Sequence, residues 1–344
     1  MLGQGAGGRA SAGGTGAAGA SSLRNARATV LPFTVVDAEY SKSLDSVVAL
    51  AAKPDELHVL DESGSDIVVA LPLAGAAVSV APDGQTAAVG HDGWVTEVDL
   101  TSGAILQTVH VSAPTLDIVL AANHYAYVFP TGNQPTDIRS LNLTTGKEEP
   151  TRDGMQIQGG TRAKLEPGTA AIYGAQNGVS EAGLERYDIS AGAEQYSRAW
   201  PYHGDYAACG DLWFSEDGQR IFTRCGEVFD ATGNPDADMT YSGALEGSTG
   251  ADLVSFVAHS ATAHQVIALR GPINFFNGMP IPGAGTIVVF EDVYLQQERA
   301  IDATSIDGTS SLCSYVFASS TGTHAVLLCN GADGQGSWLV KLAL

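Results

Sequence analysis

The chain has 344 residues, 44% of them hydrophobic, and carries 17 basic against 38 acidic side chains for a formal charge of −21. Such a field repels phosphate backbones and anionic lipid, which argues against nucleic acid and acidic membrane surfaces as partners. No apolar run approaches the roughly 20 residues needed to cross a bilayer, so the body is expected to be soluble, without a membrane span.

Residues 1–22 contain little but Gly, Ala and Ser. A stretch of that composition buries too little surface to offset its ordering entropy and is expected to be a disordered tether, leaving 23–344 as a single domain. It resembles the tethers that follow the lipidated cysteine of bacterial surface lipoproteins, although it has no such cysteine. It also lacks the basic start and apolar core of a signal peptide.

From residue 60 onward one pattern recurs. Leu60-Asp61-Glu62-Ser63-Gly64, Asp99-Leu100-Thr101-Ser102-Gly103, Asn142-Leu143-Thr144-Thr145-Gly146, Asp188-Ile189-Ser190-Ala191-Gly192 and Phe229-Asp230-Ala231-Thr232-Gly233 follow one another at spacings of 39 to 46 residues. A period of that length marks one structural unit copied along the chain. Each copy reads as a strand ending in Asp or Asn, a Ser/Thr-rich turn closed by Gly, and another strand, which is the outer half of a four-stranded β-propeller blade.

The second copy can be read strand by strand: 77–81, the turn Pro82-Asp83-Gly84, then 86–90, 94–98 and 105–111. On these residues the unit resembles the YVTN-type repeat of seven-bladed, WD40-like bacterial surface or secreted propellers. The resemblance implies an all-β, seven-bladed propeller; the match is good over 76–112 and looser elsewhere. Units fall at about 34–75, 76–112, 113–153, 160–202, 203–247, 250–303 and 309–344. The last stops after a third strand, Trp338-Leu339-Val340-Lys341-Leu342. Ala28-Thr29-Val30-Leu31 belongs to no unit and is expected to supply the missing fourth strand, closing the ring without an exposed inner edge.

The four cysteines form two pairs of the same design. Cys209 and Cys225, like Cys313 and Cys329, are 16 residues apart with a Gly nine residues after the first. If each hairpin turns at that Gly, the cysteines face one another across the first two strands of their blades, within reach of a disulfide. Buried free thiols are the alternative, and a zinc site would want tighter ligand spacing. Disulfides place the chain in an extracytoplasmic compartment, secreted, periplasmic or on the cell surface.

Candidate ligand-binding residues come from loops expected on one face of the ring, where connections between blades gather around the channel. His203 and Asp205 lie between Tyr202 and Tyr206; His91 and Asp92 lie between the second and third strands of their blade; Arg224 joins them. An imidazole beside a carboxylate suits a general base or a cation ligand, while Gly-Asp is equally plain turn chemistry. The long 270–283 insertion, with Phe275 and Phe276, is a candidate partner contact, or else a cap on its blade. His124, His264 and His324 recur at the start of a second strand, which fits a role in the fold. His259 and His264 flank one turn with no third metal ligand evident. Asp45, Asp117, Asp205 and Asp252 sit near strand starts and would share Ca²⁺ if the channel gathers them, or else serve as turn caps and surface acids.

No phosphate loop, His-Glu-x-x-His helix or Gly-x-Ser-x-Gly elbow is present. The reading that follows is a non-catalytic binding or display module for a protein or glycan partner, with no resident cofactor or metal. The alternative is a lactonase- or lyase-like propeller enzyme built on His203, Asp205, His91 and Arg224.

Overall fold

A computed structural model describes residues 21–23, 27–248, 252–272, 275–276, 279–280, 285–306, 308–331 and 336–344. Among them every regular element of more than one residue is a β-strand. Why strands end where they do follows from the repeated Asp/Asn-Ser/Thr-Gly motif. The Asp61 carboxylate accepts the N–H groups of Ser63 and Ser65, Asp99 those of Thr101 and Ser102, Asn142 that of Thr145, and Asp188 that of Ser190. These side-chain-to-backbone bonds stop the ladder and begin the turn. Gly64, Gly103, Gly146 and Gly192 then take positive φ, between 66° and 98°, to send the chain back. In the fifth copy the turn runs on to Met239, so Gly233 needs no positive φ, and Asp238 rather than Asp230 receives the Thr232 N–H.

The strands assemble into antiparallel meanders arranged as a propeller. Thr34–Ser41, Ser46–Ala52, Glu56–Asp61 and Asp66–Ala70 form one four-stranded sheet. Arg162–Leu165 to Gln195–Ala199 form another, and Leu212–Phe214 to Tyr241–Ala244 a third. Between the first two sheets lies a seven-stranded one that runs through the 17-residue strand Ala104–Leu120. Its front part pairs with Asp92–Asp99 and its back part, from Thr115, with Tyr125–Pro130. Asp252–Ser260, Gln265–Pro272, Thr286–Glu291 and Gln297–Asp302 follow, and then the sheet of Thr309–Ala318, His324–Gly331 and Ser337–Ala343.

The innermost strand of each sheet packs on the innermost strand of the next, so the sheets surround an axis. Tyr315 closes the circuit by donating to the Val36 carbonyl at 3.1 Å. Apolar side chains fill the wedges between neighbouring sheets. Leu50, Leu57 and Val69 pack on Val78, Val89 and Val98; Ala175, Leu184 and Trp200 pack on Leu212, Ile221 and Phe229.

Arg27–Leu31 completes the last sheet as expected, antiparallel to Ser337–Ala343 with Thr29 opposite Leu339. Leu31 is 3% exposed there, and burying such a side chain contributes about 1.5–3 kcal/mol. One expectation needs correction. Ser21 and Ser22, assigned to the tether, pair in parallel with Ile301 and Asp302, and Leu23 is buried between the last two sheets. The added strand covers an outer edge that would otherwise be open. Residues 1–20 lie outside the described residues.

Both expected disulfides are present. Cys313 and Cys329 are direct cross-strand partners. Cys209 and Cys225 instead bond just beyond the last ladder pair, Leu212 with Thr223, so the second bridge staples the ends of its hairpin rather than its middle.

Two outcomes follow from this architecture. Deleting residues 1–20 should leave cooperative thermal unfolding in place, whereas deleting 1–31 removes the closing strand and should abolish it; calorimetry on the two truncations checks this. Replacing Cys313 and Cys329 together by Ala should cost roughly 2–4 kcal/mol in denaturant unfolding, with non-reducing peptide mapping of the parent showing no link between different sheets.

Candidate functional site

A cavity of about 730 Å³ opens on the axis, at the end where first strands turn into second strands. This is the face opposite to the one expected from the loops. Its position follows from the inner strands, which have a ladder partner on one side only and leave N–H groups pointing inward. Acceptors from the preceding inner strand meet several of them: Asp37 takes the Val78 N–H at 2.8 Å, Glu39 that of Val80 at 2.7 Å, Ser79 that of Leu120 at 3.0 Å and Asp117 that of Ala163 at 2.9 Å.

Buried carboxylates need countercharge, and the next inner strand supplies it with Arg162 and Lys164. Lys164 Nζ stands 3.7 Å from Glu39 Oε1, and these two groups form the polar floor of the cavity. Burial opposes the lysine's charge, but the carboxylates of Asp117, Glu39, Asp211 and Asp37 outweigh it and hold the ammonium well above the ordinary amine range. Burial pushes Glu39 up to about 7 against the pull of Lys164 and the Val80 N–H. It raises Asp37 as well.

The walls are unlike one another. On one side Trp213, Phe256, Phe317 and Tyr40 make a continuous aromatic arc with ring centroids 5.4–5.7 Å apart; on the other, Val80, Val119, Leu120 and Leu165 are aliphatic. At the mouth Lys42 and Glu216 form an ion pair between turns of two non-adjacent sheets. Glu216 is held in place from behind, its N–H donating to His259 Nδ1 at 3.0 Å and its carboxylate accepting from Ala261. His259 therefore keeps its proton on Nε2, facing Asp292, and burial lowers its pKa.

Of the residues singled out from the loops, His91, Asp92, His203, Asp205 and Arg224 do not line this cavity. His91 is 1% exposed; its Nδ1 donates to the Ala74 carbonyl and its Nε2 accepts from Thr96, so both ring nitrogens are occupied. Asp92 is exposed at the start of its strand. Arg224 pairs with Asp211 at 2.8 Å, at the other end of its sheet from the cavity. His203 and Asp205 are exposed in the connection between two sheets, beside an aromatic group in which Tyr206 stacks on Tyr241 at 4.3 Å. Among the described residues they share no hydrogen-bond partner. Phe275 and Phe276 form a two-residue ladder with Met279 and Pro280; their side chains, like the rest of the insertion beyond Pro272, lie outside the described residues.

The recurring histidines hold turns. His124 and His264 both adopt left-handed φ, near 62° and 55°, a conformation in which His is enriched. His124 binds Glu97 at 2.8 Å, and His324 pairs with Glu62. His259 and His264 do share a third group, Asp292, at 3.7 and 3.4 Å, although no group of three or more such side chains among the described residues is arranged to hold a metal ion. The four aspartates considered for Ca²⁺ do not meet. Asp45 receives Tyr40 and the Ser320 N–H, Asp117 caps Ile118 and Ala163, and Asp205 and Asp252 are exposed.

Glu39 and Lys164 escaped sequence reasoning because they sit inside inner strands rather than in loops. The available signal was a charge interrupting an apolar strand two residues before a turn, as in Arg162-Ala163-Lys164-Leu165.

No protein-family model and no curated protein matches the chain. Among solved structures it resembles the β-propeller domain of Myceliophteria thermophila Cps50 (Swd1), with a TM-score of 0.65 and 12% identity over 92% of this chain and all of that one. It likewise resembles hydrazine synthase of Kuenenia stuttgartiensis, with a TM-score of 0.61 and 12% identity over 91% of this chain and 97% of that one. At such identity the likeness concerns the fold alone.

The buried acids set a pH dependence. Glu39 at about 7 and Glu194 at about 8, the latter 2% exposed with Oε1 unpaired, both lie above the ordinary 4.5 and so hold protons in the native state that the unfolded chain has released. Their stabilisation is complete below that ordinary value and is lost as pH rises through 7 and 8. The thermal midpoint should therefore fall between about pH 5 and 9, and Glu194→Gln should flatten the upper part of that fall. Each pKa unit corresponds to about 1.4 kcal/mol, which bounds the gain at a few kcal/mol. The lowered carboxyls of Asp61, Asp99 and Asp188 act only at more acid pH.

Proposed function

We propose that the chain is a non-catalytic, extracytoplasmic β-propeller module that binds a small molecule, or the end of a larger one, in its axial cavity. The observation that carries this reading is the cavity itself: concave, largely apolar, and provided with one fixed polar pair at its floor, which is the make-up of ligand sites. Fixed protonation states favour binding over chemistry. Lys164 is held as an ammonium and is no nucleophile near neutral pH, and His259 has its acceptor nitrogen occupied by a backbone N–H. Among the described residues that line the cavity, Glu39, near 7, is suited to proton transfer and is what a lactonase- or lyase-like alternative would use.

The finer architecture belongs to the same proposal. We read the seven-stranded sheet as two blades sharing Ala104–Leu120, which gives seven blades of YVTN type in a single domain. The change of partner within that strand and the seven wedge cores among the described residues support the count. The two disulfides support an oxidising, extracytoplasmic setting, with the Gly/Ala/Ser-rich N-terminus as tether. Protein and glycan partners remain compatible with the exposed connection at His203 and Asp205. Among the described residues no helix is long and apolar enough to cross a membrane.

A fragment screen by ligand-observed NMR tests the site. Fragments that bind the parent should lose binding, by roughly tenfold or more, in Ala81→Trp, which fills the rim of the cavity from a half-buried position. Fragments bound equally by parent and variant would place the binding elsewhere, and turnover of a lactone panel abolished by Glu39→Gln would favour the enzyme.

A further inference from the structure

The floor of the cavity is not electrically symmetrical in what it leaves unfilled. Its carboxylates are engaged: Glu39 Oε2 accepts the Val80 N–H, Asp37 Oδ2 that of Val78, and both Asp117 oxygens accept backbone N–H groups. Lys164 is engaged by charge only. Its side chain is 29% exposed, and Glu39 Oε1 at 3.7 Å lies beyond hydrogen-bond distance. Among the described residues it donates no hydrogen bond, although an ammonium has three N–H groups to place.

From these observations we propose that the axial cavity takes an amphipathic monocarboxylate, whose carboxylate accepts from Lys164 and whose apolar body lies against Trp213, Phe256 and Phe317. The inference rests on reading this cavity as the ligand site and names the ligand's chemistry.

Each competing ligand class meets a specific cost. A wholly apolar ligand would cover the ammonium without giving it an acceptor, and a buried charge without a partner is penalised. An organic cation would face Lys164 across carboxylates whose oxygens are largely committed to backbone N–H groups. A phosphate-like dianion would bring a second negative charge to a floor that has one ammonium open to the cavity and Asp37, Glu39 and Asp117 close to it. A single carboxylate supplies two acceptor oxygens and one charge. Glu39 accommodates it, because burial, with Asp37 and Asp117 nearby, raises its carboxyl to about 7 against the pull of Lys164 and the Val80 N–H and keeps the protonated form accessible. The apolar body follows from the walls, which are aromatic on one side and aliphatic on the other.

The test compares three probes with one body, 2-naphthylacetate, 2-naphthylacetamide and 2-(2-naphthyl)ethylamine, by calorimetric titration of the full chain. The carboxylate should bind at least about tenfold more tightly than the amide, and the amine more weakly than either, the scale expected for one charge-assisted hydrogen bond. Lys164→Met should remove that preference while leaving the amide within about twofold, and Lys164→Arg should retain it. Because the parent's ranking alone decides the chemistry, misfolding of the Met variant does not spare the proposal. An amide or amine that equals the carboxylate, or a carboxylate that does not bind, overturns it. If the probes bind with any other ranking yet lose binding in Ala81→Trp, the cavity reading stands and only the carboxylate inference fails. If binding is indifferent to Ala81→Trp, the cavity reading fails with it.

Discussion

Along most of their length the inner strands of this ring have a hydrogen-bonding neighbour on one side only. The N–H groups on their other side would be buried donors without acceptors, each costing about 1–3 kcal/mol. Asp37, Glu39, Ser79 and Asp117 resolve that problem by reaching from one inner strand to the next. The rest of the axis follows. Carboxylates placed there must be balanced, so Arg162 and Lys164 appear on the strand that comes next, and the balance leaves a charged floor under a space that no side chain fills.

The second half of the ring is built differently. There the inner strands contribute Trp213, Phe256, Tyr315 and Phe317, whose rings contact one another in sequence and reach Tyr40 on the first sheet. Aromatic packing and the Tyr315–Val36 bond join the last sheet to the first, whereas the carboxylates of Asp37, Glu39 and Asp117 bridge the earlier sheets. The cavity inherits this asymmetry, with a polar floor set by one half of the ring and an aromatic wall set by the other. Across its mouth the Lys42–Glu216 pair connects the two halves.

Much of the fold was legible because it depends on residues close together in sequence. The Asp-Leu-Thr-Ser-Gly motif at 99–103 specifies its own turn, since the Asp99 carboxylate needs only the two N–H groups that follow it. Cys313 and Cys329 announce their pairing by their position about a hairpin Gly. Arg27–Leu31 could be matched to the last sheet because that sheet visibly lacked a strand. Ser21–Ser22 gave no such signal: a two-residue parallel addition needs only backbone groups and an open edge, and neither appears in side-chain pattern.

The site was legible least. His91, conspicuous beside Asp92, turned out to be enclosed with both nitrogens occupied, whereas Glu39 and Lys164 are 125 residues apart and meet only because the ring brings their two sheets to one axis. By itself the sequence determined strand identity, turn chemistry, disulfide pairing and the order of the sheets, all of which rest on local periodicity and hydrogen bonds over a few residues. Which charges share the axis, which face opens into a cavity and which histidines are buried were decided only by tertiary structure. Those properties depend on distances and dielectric surroundings that closure of the ring creates.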